Sequence, residues 1–449
     1  MTTVYAAPTT SLMDEEVQIK LSGFDPGSKV TVRSFLPEPG LHFEAHGHFM
    51  VDGNGEISME QNPSLGGTYT DVEPMGLFWS MTPSPGQKFG LRFVKKDVTT
   101  PMQITLSVHK GHLDISALQT DAPIAKTQIQ KTYMRPGVEI IKVRSGRVRG
   151  KVFKPKGPGP FKGVIDMFGT PGGLLEFRAA LLASRGFVAY ALPYYRYEDL
   201  PSFHRHDELE YFEEATDWLQ SQSFVQPGGI GVCAVSYGTV TAGRMATEFP
   251  EKRTSIKSTD PDNDNSILYH QCKPIIYFSM DYSRMKMTEE GLINMYDMID
   301  PLETAPPEAL IDFEKAQQLL FFVGMDDKIA RTQNSTDVME RRLKALGCNN
   351  YEIVRYPGCG HLIEPPYAPV TLVSYFQDVG GVIEWGGSLR EHQRAQEHHW
   401  PKLLHFLDKY VGSQTTSLQS LHAKEYNGRD STLEVTGCAD SSSELGVFR

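Results

Sequence analysis

Residues 230–239 read IGVCAVSYGT, and the reading of Ser236 within them decides the fold. An apolar run, Ile230 to Val235, leads into the serine, and a helical pattern, TVTAGRMATEF over 239–249, follows it. A serine at such a boundary either caps the helix or stands on a sharp strand-to-helix turn as a nucleophile. The turn needs small residues two before and two after the serine, where chain segments approach closely. Ala234 and Gly238 occupy those positions, so the match is A-x-S-x-G, with alanine in place of the usual first glycine. Alone, that match carries little information.

Its context carries more. In a fold built on such a turn, an acid and then a histidine follow the serine in chain order, each in a loop after a strand. LLFFVGMDDKIA (319–330) is a buried-strand run ending in Asp326-Asp327, and YEIVRYPGCGHLIEPP (351–366) ends a second strand shortly before His361. A serine hydroxyl is a poor nucleophile at neutral pH unless an imidazole accepts its proton and a carboxylate holds that imidazole in the right tautomer. Ser236, His361 and one of the two aspartates therefore form a working set. The oxyanion hole would use the amide of Tyr237 and a second amide, from Thr170 or Gly169, in the loop MFGTPGG (167–173).

Working outward, FKGVIDMF (161–168) reads as a buried strand, GLLEFRAALLASRG (173–186) as a helix stopped by Gly186, and FVAYAL (187–192) as the next strand. The alternation continues through the helix DELEYFEEATDWLQSQ (207–222), the strand into Ser236, the helix STDVMERRLKALG (335–347) and a final helix reaching FLDKYVG (406–412). Strands separated by helices at this spacing predict an α/β domain over 136–412, with a mostly parallel sheet and its site at the strand C-terminal ends. Before it, short runs such as VQIKLSG, KVTVRSF, HFEAHGHFMV and MQITLSVHK alternate with the turn signals DPGS, DGNG and PSPG. These predict a β-sandwich over 15–135. Residues 1–14 are expected to be a flexible N-terminus, and the polar, serine-rich 413–449 a disordered tail.

The chain of 449 residues has a formal net charge of -11 and no long basic run, which argues against nucleic acid or an anionic membrane surface as partner. Five cysteines (Cys233, Cys272, Cys348, Cys359 and Cys438) lack paired spacing, so neither a disulfide framework nor a zinc site is indicated. No apolar stretch approaches the roughly 20 residues that span a bilayer, so no integral membrane segment is expected. The start MTTVYAAPTTSLMDEEVQ has no import-signal pattern, and the end GVFR is not a peroxisomal S-K-L address, so a cytoplasmic location follows by elimination. The sequence sets no oligomeric state.

Several long motifs in one order resemble the type I acyl-CoA thioesterase and bile acid-CoA:amino acid N-acyltransferase family. They are LGGTYTDVEPMGLFWSM (65–81), GRVRGKVFKPKGPGPFKGVIDMFGTPGGLLEFRAALLASRGF (146–187), YYRYEDLP (194–201), VGMDDK (323–328) and YPGCGHLIEPPYAP (356–369). The resemblance spans roughly residues 15–411. It implies a β-sandwich preceding an α/β-hydrolase domain, Ser236 as nucleophile, His361 as general base and Asp327 as the acid, with Asp326 the fallback. It also implies acyl-CoA as substrate, with CoA part of that substrate and no cofactor. The acyltransferase branch carries cysteine at the nucleophile position, so Ser236 points to the thioesterase branch. The nearest rivals are an N-acyltransferase using glycine or taurine and a catalytically silent acyl-CoA-binding protein. One departure stands out: where the family predicts an apolar strand after the elbow helix, KRTSIKSTDPDNDNSILYHQCK (252–273) is polar.

Other candidates read more simply as structure. His42, His46 and His48 lie in HFEAHGH, the last two on one strand face, without a nearby cysteine or an assigned carboxylate ligand. Cys233 reads as a small buried hydrophobe and Cys359 as a loop-packing residue. Arg178, Arg196, Lys95 and Lys96 could meet CoA phosphates but read as surface charges.

Overall fold

The computed structural model describes residues 1–202, 206–249, 255–258, 267–270, 273–275 and 281–412. The expected tail, 413–449, lies outside the described residues, as does most of 252–273.

The largest sheet among the described residues has eight strands: β1 (Glu139–Ser145), β2 (Val148–Lys154), β3 (Gly163–Met167), β4 (Val188–Ala191), β5 (Gly231–Ala234), β6 (Ser255–Ser258), β7 (Gln318–Gly324) and β8 (Tyr351–Tyr356), in the order β1-β2-β4-β3-β5-β6-β7-β8. β1 pairs with β2, and β2 with β4, antiparallel; every pairing from β4 to β8 is parallel. Successive side chains on a strand point to opposite faces, and both faces here are covered. Val164, Phe322 and Leu320 face one apolar cluster with the helices Phe177–Ser184 and Leu389–Tyr410. Ile165, Phe321 and Val323 face the other, with the helices Leu209–Gln220, Tyr237–Glu248 and Thr332–Ala345. A sheet buried on both faces explains why LLFFV is apolar without alternation. β6 lies inside the polar stretch flagged as a departure, so a strand occupies that place between β5 and β7.

The N-terminal domain is sheet-rich. Six strands (Thr10–Leu12, Ala125–Thr132, Met102–Lys110, Lys29–Glu38, Leu41–Met50 and Thr82–Pro83, in that order) share a core with a three-stranded sheet of Thr3–Ala7, Gln18–Ser22 and Glu56–Ser58. This corrects the expectation for residues 1–14. Thr3–Ala7 pairs antiparallel with Gln18–Ser22, Thr10–Leu12 pairs parallel with the 130–132 end of its neighbour, and Ala6, Leu12 and Met13 are buried. Strands of five and three residues are too short to display a period in the sequence.

A further element escaped the sequence reading. Lys286–Met287, Ile293–Asn294, Gly381–Glu384 and Val373–Phe376 form a small four-stranded sheet. It carries Ile293 and Ile383 into an apolar cluster with Val235 and Leu362, the neighbours of Ser236 and His361.

Candidate active site

Ser236 lies two residues beyond the end of β5 and precedes the helix Tyr237–Glu248, with φ 57° and ψ −138°. A non-glycine residue at such a φ carries strain of order 1–3 kcal/mol and persists only where its surroundings over-determine it. Here the parallel ladder fixes one side and the helix the other. The serine side chain makes no capping hydrogen bond, so the helix-cap reading fails. The tight crossing accounts for the small residues: a Cβ on Gly238 would stand 2.8 Å from the Phe168 carbonyl oxygen, and one on Gly169 would stand 2.5 Å from Ser236 Cβ and 2.8 Å from its Oγ. Gly169 thus lies against the serine, and its missing side chain leaves room 3.1 Å from the Tyr237 amide nitrogen. Thr170 follows in the same loop.

His361 Nδ1 lies 2.8 Å from Asp327 Oδ2, with both side chains buried. Asp327 is held from every side: Oδ1 accepts from the amides of Ile329 at 2.8 Å and Ala330 at 3.1 Å, and Oδ2 also accepts from the Thr332 hydroxyl at 2.6 Å. A carboxylate so donated to is fixed in direction. Asp326 turns the other way, its carboxylate accepting from the Gly387 amide at 3.1 Å and pairing with Lys328 at 2.6 Å. The aspartate side chains are 4% and 41% exposed respectively, which separates the buried partner of the imidazole from its solvent-facing neighbour.

Three residues that sequence reasoning missed complete the surroundings of His361. Trp385 stacks on its ring, centroids 5.5 Å apart and planes 22° from parallel, and the Trp385 carbonyl accepts from the His361 amide at 2.9 Å. His392 straddles it in sequence: Nδ1 accepts from the Gly360 amide at 3.2 Å and Nε2 donates to the Leu362 carbonyl at 2.6 Å. Burial lowers the pKa of His392, which favours the neutral ring that this pattern needs. Thr332 is the third. None had a local signal, because each acts across a chain separation of five to thirty-two residues.

The surface-charge reading of Arg178, Arg196, Lys95 and Lys96 needs correction for the two that are buried, Arg178 and Lys95. Arg178 is fully buried, pairs with Asp166 and stacks over Phe168 at 4.3 Å. Lys95 is buried against Glu38 at 2.9 Å. Arg196 pairs with Asp378 at 2.5 Å. Lys96 alone of the four is an exposed residue. His42 packs beside Phe35, and His46 and His48 lie 5.4 Å apart by ring centroid. Among the described residues no three His, Cys, Asp or Glu side chains are placed to hold a metal ion. Cys233 is buried on β5, and Cys359 is buried beside His392, its thiol pKa raised by burial. No helix of the described residues is long and apolar enough to cross a membrane.

An eight-stranded sheet of this order, with a strained serine after its fifth strand and a histidine-carboxylate pair after its seventh and eighth, defines an α/β-hydrolase. The chain belongs to the acyl-CoA thioester hydrolase and bile acid-CoA:amino acid N-acyltransferase family. Residues 14–145 match the family profile described as "Acyl-CoA thioester hydrolase/BAAT N-terminal region", and residues 208–413 match "BAAT / Acyl-CoA thioester hydrolase C terminal". The chain is 38% identical to human acyl-coenzyme A thioesterase 2, mitochondrial, over 91% of its own length and 84% of that protein. It is 37% identical to human bile acid-CoA:amino acid N-acyltransferase, over 92% and 98%. With mouse peroxisomal succinyl-coenzyme A thioesterase the identity is 36%, over 92% and 97%.

Proposed function

We propose that the protein is an acyl-CoA thioester hydrolase that works without a cofactor, with Ser236 as nucleophile, His361 as general base and Asp327 as the acid. The observation that carries this reading is the buried Asp327–His361 pair at 2.8 Å, beside a serine held on a strained turn without a capping hydrogen bond whose neighbour Val235 shares an apolar cluster with Leu362, the neighbour of His361. Ser236 Oγ attacks the thioester carbonyl while His361 Nε2 takes its proton, and the tetrahedral oxyanion is met by the Tyr237 amide and that of Gly169 or Thr170. Collapse expels the CoA thiolate, which recovers the proton from His361. Water activated by His361 then cleaves the oxygen ester to the carboxylic acid. No electrons enter or leave, so CoA is needed only as part of the substrate.

The relatives include a named N-acyltransferase at the same level of identity as the thioesterases, so similarity does not choose between the two reactions. The nucleophile atom favours hydrolysis: a serine acyl-enzyme is an oxygen ester open to activated water, whereas a cysteine acyl-enzyme is a thioester, relatively more open to amines. The test is product analysis by mass spectrometry with acyl-CoAs of graded length, with and without glycine or taurine. Free acid and CoA in equal amounts are expected from the wild type, and Ser236→Ala abolishes turnover. Predominant amide from the wild type makes the protein an acyltransferase instead. A cytoplasmic site of action is part of the proposal, and imaging of the tagged full chain tests it against the mitochondrial and peroxisomal locations in its relatives' names.

A further inference from the structure

Three consecutive main-chain carbonyls, at the end of β3 and in the loop behind it, are each met by a buried side chain. Arg178 donates from Nη2 to the Met167 carbonyl at 3.0 Å. Tyr194 donates its hydroxyl to the Phe168 carbonyl, and Tyr195 donates to the Gly169 carbonyl at 3.0 Å. Tyr194, Tyr195 and Arg178 are all buried. The grip resumes two residues further, where Arg196 Nη1 donates to the Pro171 carbonyl at 3.3 Å. Tyr194, Tyr195 and Arg196 are successive residues of one loop, so the two loops are fastened side by side. They come from two of the sequence motifs, YYRYEDLP and MFGTPGG, that the catalytic reading left without a link to each other.

A peptide unit is planar, and its C=O and N–H point in opposite directions. Holding the Phe168 carbonyl therefore sets the direction of the Gly169 N–H, and holding the Gly169 carbonyl sets that of the Thr170 N–H. These are the two amides from which the second oxyanion donor is drawn. The loop needs outside support, because three of residues 169–173 are glycine and glycine leaves the backbone many alternative conformations. A donor stabilises a developing oxyanion well only if it is already aimed and does not reorganise as charge forms.

We propose that Tyr194 and Tyr195 are positioning residues of the oxyanion hole, their hydroxyls locking the two peptide planes that carry the Gly169 and Thr170 N–H groups beside Ser236 and the Tyr237 amide. The inference rests on the serine-hydrolase reading above. It assigns Tyr194 to the Gly169 amide and Tyr195 to the Thr170 amide, so it also supplies a way to decide between those donors.

Tyr194→Phe and Tyr195→Phe each remove one oxygen and leave the ring packing in place. Steady-state kinetics with an acyl-CoA, referred to active sites titrated to end point with a fluorophosphonate, give kcat and KM. Affinity for a trifluoromethyl ketone that forms a tetrahedral adduct is measured alongside. At least one variant loses roughly ten- to a hundredfold in kcat per titrated site, less than the ~10²–10³ of deleting a donor outright. Its KM stays within about twofold, and its ketone affinity falls in step with kcat. The more damaged variant names the amide that serves. Wild-type kcat per titrated site in both variants overturns the proposal, as does a loss carried by KM or a loss explained by fewer titratable sites. Wild type and Ser236→Ala are assayed in parallel. If the wild type hydrolyses no acyl-CoA, or Ser236→Ala is as active, the hydrolase reading fails and the proposal falls with it. An active wild type with two unimpaired tyrosine variants removes the clasp alone.

Discussion

Asp326 and Asp327 are adjacent in the chain and meet opposite surroundings. Asp327 receives two amides, a threonine hydroxyl and the imidazole, while Asp326 faces Lys328 and the Gly387 amide. Asp327→Ala should lower kcat by about 10⁴, as loss of the orienting acid does, and Asp326→Ala by less than about tenfold; a reversed order moves the assignment. Thr332→Val tests the support behind the acid. It removes one donor to the oxygen that His361 also uses, and hydrogen bonds to charged groups contribute about 1.5–3 kcal/mol. A fall of roughly tenfold in kcat with little change in melting temperature is expected, and unchanged kcat shows that the two amides suffice. The sequence placed an acid after β7 from the strand pattern, yet that pattern treats both aspartates alike. What separates them is contact with residues 387 and 361, beyond the reach of any local spacing.

The element that matters most is the turn from β5 into the helix Tyr237–Glu248. Its apolar strand, its small flanking residues and its helical continuation were all legible, because long buried elements leave periodic traces. Alanine stands in place of the usual glycine two residues before the serine, and Ala234 is buried at the end of β5. Gly169 is the position where a side chain is not compatible. A methyl group there would contact Ser236 and occupy the space facing the Tyr237 amide, so Gly169→Ala should cut kcat by ~10² or more, comparable to losing an oxyanion donor. Active-site titration and kcat together check this, and a variant with normal kcat removes that space from the mechanism. The small sheet built from 286–294 and 373–384 was not legible: its strands are two to four residues long, and two come from a stretch ninety residues from the others. With it went Trp385, which follows the last of those strands.

At the scale of the whole molecule, the sequence reading separated a sheet-rich domain from an α/β domain but held no information on how they meet. The segment after Thr10–Leu12 makes part of that junction, which the Arg390–Asp71 pair at 2.6 Å also joins. Asp14 pairs with Arg185 at 2.8 Å and accepts from the Trp400 indole at 2.6 Å, and the Tyr367 hydroxyl donates to Glu16 at 3.1 Å. Beneath it, fully buried Lys131 donates to the carbonyls of Leu12 and Glu15 and lies 5.6 Å from the Phe78 ring centroid. Burial brings its pKa down to about 7, against the opposing pull of Asp14, Glu15 and Glu16. Below about pH 7 the ammonium is charged in both states and folding bears the full cost of burying it. From there up to the ordinary lysine value of 10.5 the unfolded chain binds more protons than the folded one, so this residue's contribution to stability rises with pH. The stability difference between wild type and Lys131→Met should therefore move toward the wild type between pH 7 and 9, by up to about 1.4 kcal/mol per pH unit; a pH-independent difference contradicts it. The central claim, that Ser236 carries the acyl group from CoA to water, is tested most directly by trapping that intermediate. The protein is mixed with acyl-CoA, quenched in acid within the first turnovers, digested and mapped by mass spectrometry. The account predicts an acyl mass on the peptide containing Ser236, formed together with stoichiometric CoA and followed by free acid. Acyl mass on Cys233, Cys359 or another residue, or free acid appearing at the wild-type rate from Ser236→Ala, would contradict it.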